Sequence, residues 1–207
     1  MITEYDNEPI PGLPGLLPKD ERILWQGSPD WRVLARTAFH TRLTAGYFAV
    51  LALAALASGG TLGAAATVGV GLVGVALLHV LAWASARATI YTLTNRRIVF
   101  RIGIALPKCI NLPLGVIGAV DATVRSDGSG DLPLHVAGAQ RIGYAGLWPH
   151  ARPWHLAVPQ PMLRAIPDAE RVGALIARTC LAANPDGAIA PLETPGAAPA
   201  YGQAVAA

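Results

Sequence analysis

Charge is scarce in this 207-residue chain, and the scarcity is concentrated. Only 14% of the residues are charged, against about 25% in an ordinary soluble domain. The 44 residues from Leu43 to Ala86 contain no Asp, Glu, Lys or Arg. No soluble core needs an uncharged run of that length, so composition points to a membrane protein. Acidic residues are missing over a longer stretch. Trp31 to Val120 holds eight basic side chains and no acidic one, whereas the first thirty residues hold six acids and two bases. The basic excess therefore brackets the apolar run, as suits segments lying against an anionic cytoplasmic leaflet. Lysine is nearly absent, 14 of the 16 basic residues being arginine. The arginines form no dense run, which argues against nucleic acid as a partner.

Cysteine is equally sparse. Cys109 and Cys180 are far apart, fit no metal-ligand spacing, and are expected to be a reduced pair. Catalytic signatures are missing too: no HExxH, GxSxG, P-loop or CxxC. Asp121 and the histidines have no spacing that argues for acid–base chemistry, so the expectation is that the chain is not an enzyme. "DGSGD" (Asp127–Asp131) lacks the register and terminal Glu of a calcium loop and reads as a hairpin turn. The start of the chain is acidic and the apolar run begins only after residue 42, unlike a signal peptide.

What is present divides into four segments. Residues 1–42 read as an N-terminal cytoplasmic segment. It opens with a Pro/Gly-rich lead-in and ends in a helix over Trp31–Arg42 capped by Asp30. Residues 43–86 read as a two-helix transmembrane hairpin broken at "SGGT" (Ser58–Thr61). Leu62–Ala84 is long enough for a hydrocarbon core of about 30 Å, and Leu43–Ala57 is short unless Arg42 snorkels. Ala65, Thr67, Gly69, Gly71 and Gly74 would allow close helix approach, within the hairpin or to another helix, a second copy included. Arginines outside both ends place both termini in the cytoplasm, in a multi-pass protein of a bacterial inner (intracytoplasmic) membrane.

Residues 87–183 read as an α+β domain. The stretch from Ala88 to about Leu147 is rich in Ile, Val, Thr and Leu, with turn chemistry at Asn95-Arg96 and Asp127–Gly130. It predicts an antiparallel meander of four or five strands, followed by a proline-rich link to Ile166. A helix over Pro167–Ala182 follows, with Asp168 and Glu170 in its first turn and Val172, Leu175, Ile176 and Cys180 on one face. Residues 184–207 carry little to bury and are expected to be disordered.

Strands closed by one C-terminal helix suggest a pleckstrin-homology (PH)-like barrel. "YTLTNRRIVFRIGI" (Tyr91–Ile104) resembles the opening hairpin of bacterial membrane-anchored PH-like domains, and "DERILWQGSPDW" (Asp20–Trp31) resembles the stretch that precedes their helical hairpin. More narrowly, "PGLPGLLPKDERILWQGSPDWRVLARTAFHTR", "DGSGDLPL" and "LWPHARPWHLAVPQPMLRAIPDAERV" resemble the PuhB-type photosynthetic complex assembly proteins of purple bacteria. That resemblance implies a non-catalytic helper in building the reaction centre and core light-harvesting antenna, with their polypeptides and membrane lipids as partners. The rival is a lipid-binding, membrane-anchored PH-like module with no photosynthetic role.

Three groups of candidate residues follow. "HVLAW" (His79–Trp83) resembles a segment of purple-bacterial antenna polypeptides in which the histidine is the axial magnesium ligand of bacteriochlorophyll. The likeness implies that His79 ligates this pigment with Trp83 beside the ring and Val68, Leu72, Val75 and Ala76 as an apolar bed. Val75 stands where the antenna carries a small alanine. The alternative is a histidine bonded within the helix pair, although an ionisable residue inside a membrane segment is a functional candidate by default. Arg96 and Arg97, at the first hairpin turn, are candidates for the membrane surface. Trp148, Arg152 and Trp154, in a proline-stiffened segment, have the composition of a partner-docking surface, or the two tryptophans close the domain beside its terminal helix.

Overall fold

A computed structural model describes residues 10–137 and 143–184. Its architecture is α+β. The first sheet has the order β1-β2-β3-β4, all neighbours antiparallel. The strands are β1 (Ile23–Gly27), β2 (Ile90–Thr94), β3 (Arg97–Ile102) and β4 (Lys108–Pro113). The second sheet centres on β7 (Gly130–Val136). The short strands β5 (Ile117–Val120) and β6 (Thr123–Val124) pair with successive parts of β7, and β8 (Met162–Ile166) pairs with it as well. A 3-10 turn at Leu114–Val116 carries the chain from one sheet to the other. Among the described residues no strand pairing joins the two sheets, so the expected barrel is a pair of four-stranded sheets instead.

Two strands lie where the sequence suggested none. "ILWQG" precedes the helical hairpin, yet it pairs with β2 on the far side of it, Gln26 opposite Thr92 and Gly27 opposite Tyr91. Ile23–Gly27, within the N-terminal segment, is thus an edge strand of the first sheet. β8 lies in the stretch read as a proline-rich link. The prolines fall around it, at Pro159, Pro161 and Pro167, and leave Met162–Ile166 free to donate to β7. "YAGL" was expected to continue the meander and instead forms one helical turn, α4 (Tyr144–Leu147). The expected turns are present. Asn95 accepts from Arg22 N (2.9 Å) and donates to Asp20 O (2.9 Å), tying the β2–β3 turn to the start of β1. Asp127 accepts from the backbone and hydroxyl of Ser129 (3.0 and 2.6 Å), and Gly128 takes φ +78°, which a side chain would resist.

The core lies between the sheets and the last helix, α5 (Ala169–Ala183). Tyr91, Leu93, Ile98, Phe100 and Leu112 come from the first sheet, and Leu132, Leu134, Leu163 and Ile166 from the second. Val172, Ile176 and Cys180 of α5 are buried as their spacing predicts, while Leu175 is only partly covered. Cys109 and Cys180 form no disulfide with each other, and burial pushes the Cys180 thiol up to about 11. The tail beyond Asn184, read as disordered from composition, lies outside the described residues.

The helical segment departs from a continuous Trp31–Arg42 helix. Asp30 does cap α1 (Trp31–Thr37), accepting from Arg32 N at 2.7 Å. The helix then stops, His40 takes φ +50°, and α2 (Thr41–Ala57) starts at 52° to α1. α3 (Thr61–Ala88) returns after a short loop. Its 28 residues give about 42 Å of helix. Among the described helices α3 is long and apolar enough to cross a membrane, and α1 with α2 passes the same test as a bent pair. Of the five small residues expected to let helices approach, only Gly71 is packed inside: a Cβ there would lie 2.7 Å from Phe48 Cβ. Gly69 and Gly74 face open space. Ala52 and Ala64 supply further buried small positions.

Ile176 is fully buried and Leu175 is not. Ile176→Asp should therefore cost several kcal/mol, since it places an unpaired charge among apolar side chains. Leu175→Asp should cost less than half as much. Thermal melts of the full chain in detergent would measure both.

Candidate membrane-proximal site

The helical hairpin meets the domain at a small second core. Val33, Leu34, Ala35, Ala38 and Phe39 of the α1 elbow pack on Ala82 and Ala86 of α3 and on Ala165 of β8. Asp30 N donates to Ala165 O (2.8 Å), so the cap of α1 is pinned to a strand of the second sheet.

A buried polar chain runs through this junction. Thr89 Oγ1 donates to Ser85 O (2.7 Å), in the last turn of α3, and so accepts from His150 Nε2–H (3.0 Å). Tyr91 Oη accepts from Arg164 N (3.2 Å) and so donates to His150 Nδ1 (2.6 Å). These directions fix one tautomer: His150 is neutral, with its proton on Nε2. Burial first, and the Arg164 charge second, push its pKa down to about 3. The Arg164 guanidinium donates to Pro149 O (3.0 Å) and Thr37 O (3.3 Å), which joins the elbow to the segment before β8, while its Nε is buried without a partner. None of this was legible in sequence. His150 sits in "LWPHARPWHL" beside residues read as surface anchors, yet it is 1% exposed.

His79 lies on α3 one turn and a half before the junction and is half-buried. Its Nδ1–H donates to Val75 O (2.8 Å), so Nε2 carries the lone pair that an axial ligand needs. The surroundings fit bacteriochlorophyll less well. His79 and Val75 line a cleft of about 500 Å³ whose other walls include Arg32, Arg36 and Arg42. An uncharged macrocycle makes no use of three guanidinium groups. Trp83, expected beside the ring, is outside the cleft and half-exposed, with the Arg87 guanidinium 5.3 Å from its ring centre. Leu72, Val68 and Ala76 are exposed on α3 rather than gathered into a pocket. One atom suits the pigment and the cleft around it does not.

The remaining candidates separate. Arg97 is held by Glu21 in a two-pronged ion pair, Nε–Oε1 2.8 Å and Nη2–Oε2 3.0 Å. Burial of Glu21 opposes its ionisation, but hydrogen bonds from Arg97 and Thr94 and the charges of Arg97 and Arg96 outweigh it, so the carboxyl lies below its ordinary range. Arg97 thus clamps β1 to the first sheet, and only Arg96 is exposed. Both stand at the end of β2 opposite to the α3 junction, roughly 15 Å along the strand. Arg152 belongs to a surface cluster that sequence spacing did not suggest, donating to Asp121 (3.2 Å) and Gln160 (3.0 Å). His135 donates to Asp121 there as well (2.7 Å). The hydrogen bond from His135 and then the charges of His135 and Arg152 lower the Asp121 pKa against a slight burial penalty. No group of three potential metal ligands forms among the described residues.

The tryptophans are available. Trp148 is half-exposed and meets Phe39 of the elbow edge-on, ring centres 5.2 Å apart. Trp154 is 92% exposed, and Leu156 and Val158 of the same loop are exposed with it. That loop is an exposed apolar segment of the domain outside the helical hairpin.

Comparison with known proteins adds a context to this geometry. A family model described as "bacterial PH domain" matches residues 43–179, which includes the helical hairpin but not β1. An "uncharacterized 23.7 kDa protein in puhA 5′ region" of Rhodobacter capsulatus is 40% identical over 189 residues, 86% of this chain and 88% of its own length. No solved structure gives a significant match.

The neutral His150 makes stability depend on pH. Its folded pKa, about 3, lies below its ordinary value of 6.5, so the unfolded chain takes the proton first. The stabilisation is complete above pH 6.5 and is lost as pH falls toward 3, by about 1.4 kcal/mol per pH unit. Denaturant unfolding between pH 7 and 4 should show this slope. His150→Leu should remove the slope while lowering stability at pH 7 by about 1–3 kcal/mol, from the Thr89 and Tyr91 hydroxyls left unpaired.

Proposed function

The chain belongs to the bacterial PH domain family, and we propose that it is a membrane-anchored scaffold for assembling a photosynthetic reaction centre and its core antenna. The observation that carries the photosynthetic part is the 40% identity, over most of both chains, to a protein named for its place in the puhA 5′ region. The sequence likeness to photosynthetic complex assembly proteins points the same way.

In this reading α2 and α3 form a transmembrane hairpin in the bacterial inner (intracytoplasmic) membrane, with both termini cytoplasmic. Leucines and valines exposed along both helices offer a face to incoming transmembrane helices. The loop carrying Trp154, Leu156 and Val158, with Trp148 at its base, offers a second face to cytoplasmic segments of the same polypeptides. The work is positioning, without catalysis. Bacteriochlorophyll is left out of the proposal, because the cleft around His79 is lined by cations. A lipid-binding PH-like module without a photosynthetic role is the second reading, favoured by that same cleft.

Deleting the gene should lower reaction-centre and core-antenna levels, measured by membrane absorbance, while pigment synthesis and respiratory growth stay near normal. Unchanged complexes would support the second reading. Reporter fusions before Glu4 and after Ala183 should both report cytoplasm, and a periplasmic C-terminus would remove the hairpin from the proposal.

A further inference from the structure

The cleft beside His79 has a composition that neither scaffolding nor pigment binding uses. Arg32 and Arg36 reach it from α1, Arg42 from the first turn of α2, and Val75 and His79 from α3. Among the described residues none of the three arginines makes an ion pair. Arg32 lies over the Trp31 ring at 4.7 Å, and Arg36 Nε donates to Arg32 O (3.2 Å), so two of the three are steered by their own helix. The Asp30 carboxylate caps α1 through Arg32 N (2.7 Å) without pairing with a guanidinium, and Asp127 also feels Arg36. The Asp127 pKa is lowered first by Ser129 and only in small part by Arg36. Three positive charges therefore share one cleft, and among the described residues no carboxylate pairs with their guanidinium groups.

The position of the cleft selects its ligand. It opens where the elbow turns into α2, at the boundary between basic and uncharged sequence. One wall is guanidinium and the other is Ala45, Val75 and the exposed flank of α3. A ligand that fits both walls carries an anionic phosphate at one end and an acyl chain at the other. α2 also starts there without a side-chain cap, so its free N–H groups add positive potential to that of the arginines. We propose that this cleft is a binding site for the headgroup phosphate of an anionic phospholipid, gripped by Arg32, Arg36 and Arg42, with the acyl chains laid along α2 and α3. The His79 Nε2 lone pair is an acceptor in the same cleft. It suits a headgroup that brings a hydroxyl donor as well as a phosphate, as phosphatidylglycerol does.

Bound lipid would brace the elbow. α1 contacts β8 and α3, so a phosphate bridging α1 to the first turn of α2 holds the domain at a set angle to the membrane helices. The proposal rests on the hairpin entering the membrane but not on the assembly role, and the reporter fusions test that entry separately.

The test is native mass spectrometry of the full chain in mild detergent, titrated with phosphatidylglycerol or phosphatidylcholine. The wild type should hold one phosphatidylglycerol in preference to phosphatidylcholine. Arg32→Gln with Arg36→Gln and Arg42→Gln should weaken that binding about a hundredfold, three arginines at roughly fivefold each. Arg22→Gln with Arg171→Gln and Arg178→Gln removes the same charge from exposed positions elsewhere and should leave it within about twofold. Circular dichroism checks that both variants are folded. Equal losses in the two variants would overturn the site in favour of diffuse attraction. Displacement of the lipid by inorganic phosphate would overturn the lipid as ligand. A wild type that retains bacteriochlorophyll, lost on His79→Leu and kept in the arginine variant, would overturn the proposal in favour of the pigment.

Discussion

The antiparallel pairing of β1 with β2 is the constraint on which the rest depends. The chain leaves the sheet at Gly27, runs through the elbow and both long helices, and returns to the neighbouring strand at Ile90. That closure brings the start of α1 and the end of α3 to one side of the domain. It is fastened at both ends. Arg97 and Thr94 hold Glu21 just before β1, and Gln26 near its end donates to Thr92 Oγ1 at 2.9 Å. Glu21 is a charge taken almost wholly out of solvent, tolerable only because Arg97 meets it with both prongs.

From that closure the junction follows. With both ends of the hairpin fixed, the elbow packs on Ala82, Ala86 and Ala165, small residues that let α1 approach α3 and β8 closely. The space left between them is filled by polar groups rather than apolar ones: Thr89, Tyr91, His150 and the Arg164 guanidinium. A buried polar chain of this kind has few satisfying arrangements, so it specifies one orientation of helix against domain where an apolar contact would allow several. The same bend that makes the elbow possible, at His40, points three arginines into one cleft.

The domain's outward features divide by what they touch. Arg97 and Arg152 are spent on partners within the domain, so charge at those positions supports the fold rather than recognition. Trp154, Leu156 and Val158 are exposed and form one apolar patch of the domain, while Trp148 is shared between Phe39 and solvent.

Local signals were sufficient for part of this. The uncharged run to Ala86, the break at Ser58–Thr61, the Asp30 cap, the turns at Asn95 and Asp127 and the amphipathic face of α5 each depend on residues within a few positions of one another, and each is legible in the sequence. What it could not determine depends on pairings across the whole chain. "ILWQG" is five residues with no decisive alternation, and it becomes a strand only because β2 offers an edge more than sixty positions later. Arg97 reads as a surface charge until Glu21, 76 positions away, is brought against it. His150 reads as part of an exposed aromatic loop until the end of α3 covers it. Arg32, Arg36, Arg42 and His79 form a cleft only once the helix breaks at His40, a left-handed turn that no local propensity announced. The sequence by itself determined where charge is absent and which faces are apolar, because hydropathy acts residue by residue. Tertiary structure alone decided which charges meet, because a hydrogen bond or ion pair needs both partners at one point in space.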